Sequence, residues 1–225
     1  MILVLCIPII ARDTAAALAL IAQAEPLADM IEIRLDVMES CALEELIRAC
    51  ARPVMVTYRS TAEGGKGVDD AETCFHHVMR AVEAGADFVD VEYRLPARYR
   101  REILSRAPAS RVVLSRHFPE ETPSEKDLSA LLRDLSGSGC GIVKIVTRAR
   151  RAEDNLRVLD LIPMARERGV KIIAFCMGPL GRVSRVASPL LGGFLTFAAL
   201  EKGAESADGQ LPVQEMKAIL ESLSP

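Results

Sequence analysis

The stretch Gly141-Ile142-Val143-Lys144-Ile145-Val146 sets one lysine in an otherwise apolar, largely β-branched run of strand length. A strand buried on both faces excludes such a charge, so one face of this strand must open onto something polar. Alternation puts Ile142, Lys144 and Val146 on one face and Val143, Ile145 and Thr147 on the other. Leaving the ammonium buried and unpaired would cost several kcal/mol. Two arrangements relieve that cost: a carboxylate partner, or a lowered pKa that leaves a neutral amine able to form a Schiff base. From this strand alone, a structural ion pair and a catalytic amine fit equally.

Outward from it, short apolar runs alternate with helical patterns. The candidate strands are Ile2 to Ile7, Met30 to Leu35, Val54 to Tyr58, Phe88 to Glu92, Val112 to Ser115, Ile142 to Val146, Val170 to Phe175 and Leu195 to Leu200. In Asp69 to Ala84, the residues Phe75, Val78, Met79 and Val82 follow helical spacing and Gly85 follows as a stop. Ser124 with Asp127 reads as a capping box ahead of the stripe Leu128, Leu131, Leu132 and Leu135. Ala152 to Arg168 reads as a helix that Pro163 should kink or split. Pro212 opens the last helix, with Val213, Met216, Leu220 and Leu223 inward. Strands recurring every roughly 25–35 residues with helices between them favour one closed (β/α)8 TIM barrel over residues 1–225 rather than a doubly wound sheet. No GxGxxG follows the first strand, which argues against dinucleotide binding.

Composition narrows the partners. Among 225 residues, 28 Lys and Arg stand against 31 Asp and Glu, a net charge of -3 that offers no footprint for nucleic acid or an anionic membrane. The expected partner is a small molecule. With no basic leader and no apolar run of about 20 residues, a cytoplasmic location is expected. The six cysteines form no CxxC pair, so neither zinc nor disulfides are expected, and His76 and His77 are assigned to a helix surface rather than to a metal site.

In a barrel, the carboxyl ends of the strands and the loops after them build the site. Glu32 and Arg34 lie two apart on the second strand, where they either line that end or pair with each other. The third strand runs into Arg59-Ser60-Thr61-Ala62-Glu63-Gly64-Gly65, a charged pair beside a glycine-rich loop whose backbone can move. Ser115-Arg116-His117-Phe118 puts a histidine at the barrel mouth, where a base near neutral pH is useful. Beyond the seventh strand, Arg185 or Arg182 is placed to clamp a carboxylate. Arg148, Arg150 and Arg151 read as a solvated lead into a helix.

These residues together resemble the type I 3-dehydroquinate dehydratase family of the shikimate pathway, over nearly the full chain. The resemblance rests on Glu32-Ile33-Arg34, Arg59 with Glu63-Gly64-Gly65, Ser115 to His117, Val143-Lys144-Ile145, Ser184-Arg185, Thr196-Phe197 and Ser206 to Gln210. It implies a cofactor-free, metal-free lyase, usually a homodimer. It also implies that Lys144 forms a Schiff base with the ketone of 3-dehydroquinate, with His117 as acid/base and Glu63 orienting it. By the same resemblance Arg185 binds the carboxylate, while Glu32, Arg34, Arg59, Ser206 and Gln210 hold the rest of the ring. The chain departs from the family at Phe118, where Asp is common, and at Asp208, where proline is usual; the latter change is expected to loosen the closing loop, Gly203 to Leu211. The rivals are a Schiff-base aldolase barrel, which would want a phosphate site, and a binding barrel without turnover.

Overall fold

The computed structural model describes residues 3–223. Eight strands follow one another around a parallel barrel: β1 (Leu5–Ile9), β2 (Met30–Arg34), β3 (Val54–Thr57), β4 (Phe88–Glu92), β5 (Val112–Phe118), β6 (Ile142–Arg148), β7 (Lys171–Met177) and β8 (Thr196–Phe197). Each strand from β1 to β6 pairs with the next, and β8 returns to β1. Across the remaining seam, Phe194 N–H just before β8 donates to Ile172 O of β7 at 2.6 Å. The helices between them are α1 (Thr14–Ala24), α2 (Leu43–Ala49), α3 (Ala71–Glu83), α4 (Ala97–Arg106), α5 (Glu125–Ser136), α6 (Asp154–Leu159), α7 (Leu161–Glu167), α8 (Arg182–Leu190) and α9 (Val213–Leu223). Among the described residues no helix is long and apolar enough to cross a membrane.

Alternation along the strands divides the core in two. Outward residues such as Val143 and Ile145 join the larger apolar cluster beneath the helices, whereas Met30, Met55, Val113, Ile142 and Ile173 fill the barrel's lower interior. One step further along β2 to β6, the inward residues change character. Glu32, Thr57, Asp90, Ser115 and Lys144 form a polar layer over that apolar floor, all of them buried.

Several element ends differ from those expected. The proposed start at Ile2 lies outside the described residues, and β1 continues through Pro8 to Ile9. Cys6 O accepts from Ala198 N–H at 3.1 Å, and the next rung toward β8 would require the N–H that proline lacks. The ladder to β8 stops there, and β8 keeps two residues instead of the expected six. Strands β5 and β6 run beyond Ser115 and Val146 to Phe118 and Arg148, because their polar ends keep the register Phe118 to Thr147 and Arg148 to Met177. β7 likewise reaches Met177.

Among the helices, the Ser124 cap forms, with Asp127 N–H donating to Ser124 Oγ at 3.2 Å. After α3 the chain turns at Gly85, φ 85°, and Ala86 N–H returns to Ala81 O at 3.1 Å. The Ala152 to Arg168 helix does split, with Asp160 between α6 and α7, three residues before Pro163. Leu223, expected inward, is exposed at the end of α9. His76 is on the surface beside Glu72, but His77 is half-buried and stacks on Tyr58, ring centroids 4.1 Å apart.

Candidate active site

All nine residues named from the sequence line one pocket at the carboxyl ends of the strands: Glu32, Arg34, Arg59, Glu63, His117, Lys144, Arg185, Ser206 and Gln210. Phe175, Met177 and Phe197 supply its apolar side. Lys144 rises from the middle of β6, 4% exposed, over the ring of Phe197 at 4.7 Å. Its Nζ donates to Asp90 Oδ2 at 2.9 Å.

Glu32 and Arg34 do not pair with each other. Glu32 accepts from Thr57 Oγ1 at 2.7 Å, while Arg34 donates through Nε and Nη2 to the two oxygens of Asp36, both at 2.8 Å. The two share a face of the strand, and each is taken up by a different partner.

The loop after β3 is folded tightly around Arg59. Gly65 and Gly67 donate to Ser60 O and Arg59 O at 2.8 and 2.9 Å. A Cβ on Gly65 would meet Arg59 O at 2.1 Å, and one on Gly67 would meet the Tyr58 ring at 2.6 Å. The glycines therefore serve close packing here rather than the loose backbone read from the sequence. This turn delivers Glu63, 2% exposed, against β5. Glu63 Oε2 accepts from the backbone N–H of His117 at 2.9 Å and lies 3.0 Å from its Nδ1, while Oε1 accepts from Arg116 at 2.8 Å.

Since that carboxylate acts as acceptor to every other neighbour, His117 donates through Nδ1 and leaves Nε2 as the ring's acceptor. Burial pushes the Glu63 carboxyl up against the pull of Arg59 and Arg116. Burial and the charges of Arg59 and Lys144 hold His117 well below its ordinary range, so the imidazole is neutral around pH 7.

Of the two candidate clamps, Arg185 rather than Arg182 lines the pocket. It is 1% exposed, with its guanidinium 4.5 Å from the centre of the Phe175 ring; Arg182 is exposed. Its Nη2 donates to the carbonyl of Asp208 at 3.1 Å, but its buried Nε has no hydrogen-bond partner, and no ion pair satisfies it among the described residues. Burial pushes its pKa down to about 10, so it remains a cation at neutral pH. An unpaired buried cation is costly, and an incoming carboxylate would relieve it.

The segment from 203 to 211 brings Ser206, Ala207 and Gln210 to the pocket. Ser206 N–H donates to Gln210 Oε1 and Gln210 Nε2 donates to Ser206 Oγ, each at 2.9 Å, so the two face each other across the loop. Asp208, where a looser loop was expected, is held by partners on both its side chain and its carbonyl. Its carboxylate accepts from Arg148 Nη1 at 2.9 Å, its carbonyl accepts from Gly178 N–H at 3.1 Å, and Arg148 Nε donates to Pro119 O at 2.6 Å. Arg148 is thus a tie between this loop and the end of β5, not a solvated residue.

Sequence reasoning missed Asp90 and Glu92, although Phe88-Val89-Asp90-Val91-Glu92 shows the same sign as the Lys144 strand: charge inside an apolar run. Arg59 gathers them. Its Nη2 forms an ion pair with Asp90 Oδ1 at 2.7 Å, its Nη1 donates to Glu92 at 3.0 Å and lies 3.4 Å from Glu63.

A family model described as type I 3-dehydroquinase matches residues 5–225. The chain belongs to that family. It is 37% identical over 203 residues to the 3-dehydroquinate dehydratase of Syntrophobacter fumaroxidans, an alignment covering 85% of each chain. Against the enzyme of the same name from Thermococcus gammatolerans it is 37% identical over 214 residues, covering 94% of this chain and 95% of that one. In structure it is similar to the 3-dehydroquinate dehydratase of Geobacillus kaustophilus, with a TM-score of 0.88 at 26% identity over 99% of this chain and 91% of that one. The two structures therefore share one fold over nearly the whole of this chain.

Proposed function

We propose that this chain dehydrates 3-dehydroquinate to 3-dehydroshikimate through a Schiff base on Lys144, acting as a cytoplasmic homodimer in the shikimate pathway. The observation that carries the reading is the convergence of three groups on one pocket: the Lys144 amine, the acceptor Nε2 of a neutral His117, and the unpaired cation of Arg185.

Each group answers one demand of the reaction. A hydrogen beside a plain ketone is too weakly acidic for an imidazole to remove, whereas beside a protonated imine the electrons of that C–H bond move onto nitrogen and form an enamine. His117 takes the proton at Nε2. The enamine then expels the β-hydroxyl, which His117 protonates as it leaves, and water releases the conjugated product from Lys144. Glu63 holds Nδ1–H, fixing the tautomer and the ring's aim. Arg185 binds the substrate carboxylate, and Glu32, Arg34, Ser206 and Gln210 meet the ring hydroxyls. Arg59 lines the pocket with its donors largely engaged by carboxylates, so its contribution to the substrate is the charge that remains.

Borohydride added with 3-dehydroquinate should leave a reduced adduct on Lys144, found by peptide mass mapping, while the native enzyme should generate the ultraviolet absorbance of a conjugated enoate. Lys144→Met, of similar volume, should lose both signals yet keep the barrel's circular dichroism. An adduct on another lysine, or turnover without any adduct, would sink the mechanism.

A further inference from the structure

Asp90 sits under the reacting nitrogen. Its side chain is 1% exposed at the centre of β4, and its Oδ2 accepts from Lys144 Nζ at 2.9 Å. The other oxygen accepts from Ser115 Oγ at 2.6 Å and lies 2.7 Å from Arg59 Nη2. Burial opposes ionisation of this carboxyl, but the Arg59 and Lys144 charges outweigh it and hold Asp90 far below its ordinary range. It is therefore a fixed anion in the resting site, hydrogen-bonded to Lys144 and Ser115.

Charge conservation along the reaction gives it a use. Ammonium plus ketone yields protonated imine plus water: of the three hydrogens on Nζ two end in the water, one stays, and the single positive charge remains at nitrogen. An anion fixed beside Nζ is thus matched to both the resting lysine and the protonated imine, and it disfavours the neutral imine, which cannot draw electrons from the adjacent C–H bond. Building on the Schiff-base reading above, we propose that Asp90 is the counter-ion that keeps the Lys144 imine protonated while His117 removes the carbon-bound proton.

The other charged or titratable groups facing this pair are less well placed for the role. Glu32 on β2 is taken up by Thr57, and Glu92 on β4 by Arg59 and Ser60. Glu63 faces His117, Cys6 on β1 is a thiol that burial keeps protonated, and Arg59 and His117 carry no negative charge. The Phe197 ring, 4.7 Å from the nitrogen, is an apolar neighbour that carries no formal charge. Asp90 is the carboxylate in hydrogen-bond contact with Nζ among the described residues.

The test is the pH dependence of kcat at saturating 3-dehydroquinate. Removing an opposite charge at this range lowers a cation's pKa by roughly 1–3 units, so Asp90→Asn should shift the alkaline limb of kcat down by about that much and reduce kcat at neutral pH at least about 10²-fold. Asp90→Glu, which keeps a displaced carboxylate, should place the limb between the two. Should Asp90→Asn fail to fold because its amide faces Arg59, Asp90→Ser removes the charge without adding a donor of that size and should shift the limb likewise. In the native enzyme saturated with product, the ε-15N signal of the imine should stay at its protonated position through neutral pH. An unmoved limb, a uniform loss of kcat at every pH, or a native imine that deprotonates near neutrality would each overturn the role. Failure of borohydride to modify Lys144 in the native enzyme would instead retire the Schiff-base reading on which it rests.

Discussion

The wall of the pocket and the loop over it are built on opposite plans. Along β3 to β6, Arg59, Glu63, Asp90, Glu92, His117 and Lys144 are all 8% exposed or less, and each is held by at least one other of the set. The segment from 203 to 211 is built mainly of small and polar residues that run from exposed Gly203 to buried Gln210, and a few hydrogen bonds with one partly exposed ion pair hold it down. Desolvated charges interact strongly and move little, whereas exposed pairs contribute at most about 1 kcal/mol. The difference teaches where each kind of control resides: reactivity is set in the wall, and access and residence of the ligand are set in the loop.

A variant of the wall should therefore change turnover itself. His117→Ala leaves the electrophile in place but removes the proton carrier, and turnover should fall by at least about 10²–10⁴-fold, with imine still trappable on Lys144. Near-normal turnover would mean that water or Glu63 moves the proton. A smaller effect concerns pH. Because the burial and cationic neighbours that disfavour its protonated form hold His117 well below 6.5, the base is lost only at lower pH than for a free histidine. The acid limb of kcat/KM should accordingly lie below about 6.5, and a limb at or above that value would contradict the buried, neutral ring. The loop should give the smallest change in chemistry. Ser206→Ala combined with Gln210→Ala should raise KM with kcat largely kept, and hydrogen exchange in residues 203–211 should slow when ligand is trapped on Lys144 in the native enzyme but less in the double variant. Equal exchange with and without ligand would make the loop a fixed wall and erase the contrast.

The same contrast governs what the sequence disclosed. Lys144 was legible because a buried charge in an apolar strand is costly enough to be conspicuous, and alternation then told which way it faces. Asp90 met the same criterion, and a reader applying it to every strand would have found it. Strand ends were harder, because apolar composition marks where a strand is buried, not where its ladder stops: Arg116, His117 and Arg148 keep strand hydrogen bonding while presenting polar side chains to the site or the loop. The reverse holds at β8, where an apolar run continues after Pro8 has ended the ladder. Helix α8, which carries Arg185, gives little local signal, since its first residues make no side-chain cap and Pro189 lies inside it. The partner of Asp208 depends on tertiary folding, as Arg148 is sixty residues away in sequence.

Arg59, the hub shared by Asp90, Glu92 and Glu63, has a consequence for how this site can change over generations. Substitutions at residues that share a partner do not add: losing one carboxylate hands Arg59 more fully to the other two, and losing Arg59 strands all three at once. Single replacements within this group will mostly be rejected, and a tolerated one will alter what its neighbours tolerate next. Drift should therefore be easy at the loop and slow around Arg59, and where the hub does change, several of its members should change together.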